Sequence, residues 1–301
     1  MMRYTVWHRT AYTYTRPVQD SVGLFHLVPR ALPWQQVSAS AVTVDPAPGD
    51  IAPDLDYFGN SATYFHVTDP HQELTIVSRS EVTVHTPAYD AAALCLPWEQ
   101  ARPLQHPHLD GAWRAADFAL ESPRAAHVSE AAAYARESLT PGRPVGEAAT
   151  DLMRRIFRDF TYDSTATTVT STVADAMRKR AGVCQDFAHV ALACLRSHGV
   201  AARYVSGYLA TRPAPGKDRV FGADASHAWI AVWLPGTDQW LAIDPTNDQW
   251  AGERYITVAW GRDYGDVSPV KGIIYTKAKK STLRVQVDVS PQEPAATAAP
   301  S

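Results

Sequence analysis

Apolar and polar positions alternate through the first 88 residues. Over residues 3–14, Tyr4, Val6 and His8 fall on one side, and Thr5, Trp7 and Arg9 on the other. That period of two is the mark of a half-buried strand. Similar runs cover 36–44, 56–68 and 73–85, the last with a bulge expected near Ser80. Gly59-Asn60 and Asp69-Pro70 punctuate the runs as turns. Strands at this spacing predict a small all-β, sandwich-like unit over 1–88. It holds no charged constellation that would do chemistry.

The pattern then changes. Residues 89–128 read as an irregular connector wrapped on the surface, because Pro97, Pro103, Pro107 and Pro123 interrupt any helix. An alanine-rich helix is predicted over 129–139, with Ser129 as its N-cap. A second follows over 145–160, with Leu152, Ile156 and Phe157 on one face. Thr172 and Asp175 make a loose capping pattern that opens a short helix through Arg180. From Cys184 the apolar residues Phe187, Val190, Ala191, Cys194 and Leu195 recur at helical spacing, and Gly199 ends that helix.

Strands follow at 200–208, 226–233 and 240–243, with the Pro235-Gly236 turn between the last two. Residues 255–260 read as a further strand or turn. Leu283, Val285, Val287 and Val289 mark a closing strand over 281–289. Helices first and strands afterwards argue for an α+β unit over 129–289. Residues 213–219 read as a polar loop flanking a substrate groove, and 290–301 as a disordered tail.

Composition narrows the function classes. The 301 residues, 46% hydrophobic and 20% charged, provide for one large or two modest domains. A net charge of −3 gives no footprint for a nucleic-acid partner. No run approaches the roughly 18 apolar residues of a membrane span. The N-terminal stretch has no apolar signal core, and three cysteines make a poor disulfide framework, so a cytoplasmic location is expected.

Cys184 carries the candidate chemistry. It follows Gly182 at the start of an apolar helix, where free backbone N–H groups and the helix dipole favour a thiolate. His227 and Asp244 lie on successive predicted strands, which would set an imidazole and a carboxylate side by side. Rivals exist for each. His189 lies on the Cys184 helix, five residues on and so turned to another face. Asp186, Asp224 and Asp248 are other carboxylates able to orient an imidazole. Asp186 better suits the helix N-terminus, at the cost of opposing a thiolate nearby. Cys194 reads as packing, Trp229 and Trp233 as core or groove wall, and His106 and His108 as a surface loop.

Two stretches, GVCQDFAHVALACLRSHGVAARYVSGYL and SHAWIAVWLPGTDQWLAIDPTND, together with the spacing between them, resemble the transglutaminase-like superfamily. Its fold is related to papain-type cysteine peptidases. YTVWHRTAYTYTRPV, LVPR and DYFGN are similar to the β-rich region that precedes this core in a bacterial subgroup. The resemblance implies helices packed on an antiparallel sheet, with Cys184 as nucleophile, His227 as general base and Asp244 as orienter. It and the helix-start geometry both suggest the Cys184 N–H as first oxyanion donor. Gln185 and Tyr162 are candidates for a second donor, and Trp229 for substrate contact.

The expected activity is acyl transfer through a thioester on amide bonds of peptides or proteins. Hydrolysis is favoured, since water is the default acceptor and no feature selects an amine. Amine transfer, a small-molecule acyltransferase and a non-catalytic scaffold are the alternatives. No cofactor is implied, and no acidic cluster suggests the calcium sites of animal transglutaminases. Deletion of residues 1–88 is expected to change substrate range without abolishing thiol activation.

Overall fold

The long first strand serves two groups of strands. A computed structural model describes residues 1–168, 170–211 and 226–292. The N-terminal strands are β1 (Met2–Phe25), β2 (Gln35–Asp45), β3 (Asp50–Leu55), β4 (Ser61–Val67) and β5 (His71–Val84). The first half of β1 pairs antiparallel with β5, and β2 adds beyond it. After a break between Thr13 and Val18, the second half pairs with β4, which carries β3. The two halves enclose a small apolar cluster that includes Phe25, Phe65, Leu74 and Ile76.

The alternation predicted for β1 holds, with Tyr4, Val6 and His8 buried on one side and Thr10 continuing the series. The strand expected from residue 56 begins at Ser61 instead. Asp56 Oδ1 accepts from the backbone N–H of Phe58 and Asn60 and folds that stretch into a turn. The bulge expected near Ser80 is absent. The register shift lies on β2, between Val37 and Ala39.

The connector is not a surface wrap. It contains α1 (Ala91–Leu94), a 3₁₀ turn at Trp98–Ala101, α2 (Ala112–Ala115) and a second 3₁₀ turn at Ala116–Ala119. Trp98, Ala101, Ala112, Ala115, Phe118 and Ala125 are buried in the main core. Prolines prevent long helices there, but they do not prevent burial, and the alanines permit close approach.

Four helices follow: α3 (Ser129–Ala135), α4 (Val145–Asp159), α5 (Val173–Lys179) and α6 (Cys184–Arg196). Ser129 is not the N-cap. It is the first helical residue, and its hydroxyl bonds Glu130. Thr172 and Asp175 form the expected capping box at α5. On α4, Leu152, Met153 and Ile156 are buried whereas Phe157 is 48% exposed, one step round the helix from the apolar face.

Between the helices, β6 (Thr161–Tyr162) pairs parallel with β7 (Ala181–Gly182). The second large sheet is antiparallel, made of β8 (Ala202–Leu209), β9 (Ser226–Trp233), β10 (Trp240–Asp244), β11 (Gln249–Trp250) and β12 (Tyr255–Gly261), in the order β11-β10-β9-β8-β12. The α6 helix packs across β8 and β9.

Two last strands, β13 (Val270–Thr276) and β14 (Ser281–Gln292), return to β1. The strand expected to close the catalytic core therefore forms, but it lies in the N-terminal sheet. Only Val287 and Val289 of its four apolar positions are buried; Leu283 and Val285 remain exposed. Residues 290–292 belong to that strand and not to a tail. The rest of the expected tail, and the loop expected at 213–219, lie outside the described residues.

Candidate active site

The α6 helix starts at Cys184 because the chain before it is held extended. Val183 has φ −111° and ψ 178°, and its N–H donates to Asp186 Oδ2 at 2.9 Å. Thr167 Oγ1 donates to the same oxygen at 2.6 Å. Asp186 thus serves the helix N-terminus, as its position in the sequence suggests. A Cβ on Gly182 would lie 2.6 Å from that oxygen, so only glycine lets the chain pass. Cys184 is half-buried in the first turn, where N–H groups have no intrahelical acceptor.

His227 is the second residue of β9 and Asp244 the last of β10. The antiparallel pairing of these strands brings His227 Nε2 within 2.7 Å of Asp244 Oδ2. Cys184 adjoins the same imidazole, close enough to help hold its proton. With Nε2 facing Asp244, Nδ1 is the nitrogen left for the sulfur. Cys184, His227 and Asp244 are therefore brought together in one series, with the His227–Asp244 hydrogen bond at its inner end.

Asp244 is fully buried and well supplied with donors. Tyr255 Oη and Asn247 Nδ2 each donate to Oδ2 at 2.7 Å, and the Thr246 N–H donates to Oδ1 at 2.8 Å. The Tyr255 hydroxyl in turn accepts from Gln249 Nε2 at 2.6 Å, and Gln249 Oε1 accepts from Arg254 at 3.0 Å.

These contacts set the charges. Burial alone would lower the His227 pKa. Its hydrogen bond to Asp244 and the adjoining Cys184, with the charges on both, outweigh burial and push it up to about 10. Burial likewise favours neutral Asp244, but the His227 hydrogen bond and charge, with Asn247 and Tyr255, hold its carboxyl below the usual range. His227 is thus an imidazolium at neutral pH, between a carboxylate and the sulfur.

The remaining candidates are placed as follows. Tyr162 sits on β6 opposite Gly182, its ring edge-on to Phe187 and 59% of its surface exposed. Burial and then the neighbouring Cys184 raise its pKa. Gln185 follows Cys184 in the first turn, half-buried. Trp229 is buried, with its ring 6.0 Å from His227 and edge-on to Tyr255 at 5.2 Å.

The rivals fall elsewhere. His189 is buried against Tyr204, and its Nε2 accepts from the Tyr264 N–H. Asp248 lies nearest Arg154, at 3.8 Å. Asp224 lies outside the described residues. Cys194 is fully buried, and burial pushes its thiol up to about 12, which fits packing. Sequence reasoning missed Asn247 and Tyr255. A polar residue in the turn three positions after Asp244 was a usable signal for Asn247. Nothing periodic marks Tyr255.

Residues 4–83 match the bacterial transglutaminase-like N-terminal region, and residues 132–245 match the transglutaminase-like superfamily. The chain belongs to the transglutaminase-like superfamily. An uncharacterised protein of Mycobacterium tuberculosis is 48% identical over 297 residues, which cover 97% of this chain and 93% of that one. An uncharacterised protein of Mycobacterium leprae is 35% identical, with 96% and 99% covered. A solved structure from Cytophaga hutchinsonii, provisionally named a cysteine protease, superposes with a TM-score of 0.75 at 17% identity. The match covers 98% of this chain and 92% of that one. The transglutaminase-like, papain-related α+β fold with a β-rich N-terminal region is therefore shared along nearly the whole chain. Among the described residues no helix is long and apolar enough to cross a membrane.

Proposed function

We propose that this transglutaminase-like protein is a cysteine-nucleophile acyl-transfer enzyme acting on amide bonds of peptides or proteins, chiefly by hydrolysis. The observation that carries this reading is Cys184 at the first turn of a buried helix, beside a His227 that Asp244 holds from behind at 2.7 Å.

In the proposed cycle the Cys184 thiolate attacks the amide carbonyl carbon. A C–S bond forms and the carbonyl electrons move to oxygen, which the Cys184 N–H holds. Gln185 and Tyr162 are the candidates for a second donor. The C–N bond breaks as His227 gives its proton to the leaving amine. Neutral His227 then takes a proton from water, and the hydroxide attacks the thioester. Acid is released, and the thiolate–imidazolium pair returns. Asp244 accepts from Nε2 throughout and fixes the tautomer. An amine in place of water gives transamidation with the same residues.

Trp229 acts as wall behind His227. The three cysteines are free, and we propose a cytoplasmic location on that ground. Cell fractionation checks it: recovery in the extracytoplasmic fraction overturns the assignment.

The test of the activity is the pH dependence of Cys184 alkylation, read by peptide mass spectrometry with buried Cys194 as internal control. Cys184 is expected to react faster than Cys194 at neutral pH, and His227→Ala to abolish that advantage. Peptide substrates with and without added amines then separate hydrolysis from transfer. Reaction only at alkaline pH, or equal reaction in His227→Ala, would leave a scaffold as the better reading.

A further inference from the structure

Arg203, on β8, is 7% exposed, and its Cζ lies 4.5 Å over the Trp240 ring and 3.6 Å over the Trp260 ring. Arg30 occupies the opposite face of Trp260, with its Cζ also at 3.6 Å. Arg30 has acceptors: its Nη1 donates to the Phe58 carbonyl and to Asn60 Oδ1, with the Asp56 charge nearby. Arg203 has no such supply. Its Nε is buried without a partner. A cavity of about 20 Å³ opens on this guanidinium, walled by Val205, Trp229, Trp240, Tyr255 and Trp260, and no carboxylate lines it.

We propose that this cavity is an anion site, in which Arg203 holds a single monovalent anion of chloride size. The tryptophan faces stabilise the cation but supply no acceptor for its in-plane N–H donors. A buried guanidinium with no acceptor is costly unless a counter-charge completes it. Room for one water takes roughly 10–15 Å³, so the cavity has space for a small ligand at the guanidinium. A water would satisfy a donor, yet it would leave the Arg203 charge beside that of Arg30 uncompensated. Those two influences, burial first and then Arg30, push the Arg203 pKa well down, and a bound anion opposes both. Aromatic ring edges around the cavity are electropositive and suit an anion. The site lies behind Trp229 and Tyr255, so it backs the Cys184 series without opening into it, and it does not depend on the activity proposed above.

The test uses the full chain. Crystals transferred from chloride to bromide should show an anomalous peak in the cavity, at hydrogen-bonding distance from the Arg203 guanidinium. In solution, quenching of tryptophan fluorescence by iodide at constant ionic strength should contain a saturable component that chloride competes away. Arg203→Met should lose that component. Arg114→Met, which removes a cation from the exposed Trp113, should keep it. A cavity without bromide density overturns the proposal, and so does a peak seen only in molar bromide with no saturable quenching. A saturable component unchanged in Arg203→Met overturns it too. Should Arg203→Met fail to fold, the wild-type bromide map decides alone.

Discussion

Tyr255 donates its phenolic hydrogen to Asp244 at 2.7 Å, on the same oxygen that faces His227. The bond helps keep a fully buried carboxylate ionised, so Tyr255 is a positioning residue for the pair. Tyr255→Phe keeps the ring against Trp229 and removes only the donor. Loss of a hydrogen bond to a charged group costs about 1.5–3 kcal/mol, so the neutral-pH rate of the proposed reaction should fall roughly tenfold or more. The acidic limb of the pH–rate profile should move to higher pH, because Asp244 loses a group that lowers its pKa. A profile that stays in place while only the melting temperature falls would make Tyr255 a packing residue.

Gly182→Ala should damage the nucleophile without touching it. The new Cβ meets Asp186 at 2.6–2.9 Å, and Asp186 is the acceptor that holds the Val183 N–H. Displacing it costs about 1 kcal/mol for the lost cap, with further strain from the crowding. Differential scanning calorimetry and Cys184 alkylation should report a lower melting temperature and a slower thiol. Wild-type behaviour in both would mean that the β7–α6 junction can shift without consequence.

His8 makes stability fall in mild acid. It is buried between Tyr208 Oη at 2.9 Å and Thr10 Oγ1 at 3.0 Å, and burial lowers its pKa to about 4. The unfolded chain takes up this proton near pH 6.5, the native protein only near pH 4. The contribution is therefore whole above pH 6.5 and declines as the pH falls toward 4, by about 3 kcal/mol across the window. His227 acts oppositely: its contribution is whole below pH 6.5 and is lost as the pH rises toward 10. Urea unfolding between pH 4 and 6.5 should show a shallower dependence in His8→Gln than in wild type. Equal slopes would mean that His8 is protonated in the native state.

What was legible in the sequence was local. The α6 helix carries its apolar period and the Asp186 that caps it, and Cys184, His227 and Asp244 each sit at the end of a short, well-marked element. The partners of strands were not legible, because alternation reports which side of a strand is buried and not which strand lies beside it. Hence β14 was assigned to the wrong sheet, and β3 and β13, both largely exposed, went unseen. The connector misled because its prolines speak of helix length, whereas its burial comes from Trp98 and Phe118 meeting distant elements. Tyr255 reaches Asp244 only through tertiary packing, from a strand at the other edge of the sheet.

The strand pairing also reverses the expectation for a chain beginning at residue 89. Such a chain would lack β1, which carries β14 along twelve paired residues and β13 along seven more. It would also lose Tyr4, Val6, Val82 and Val84, which share one buried cluster with α6 and the second sheet. His8 would no longer meet Tyr208 at the seam. Removing these buried side chains at about 1.5–3 kcal/mol each is comparable with the whole stability of an ordinary domain, before the loss of strand pairing. The shortened chain should therefore show no cooperative unfolding transition by circular dichroism and no selective alkylation of Cys184. A soluble fragment that melts cooperatively and keeps a fast-reacting Cys184 would show that the core stands alone, and would return the N-terminal strands to a role in substrate choice.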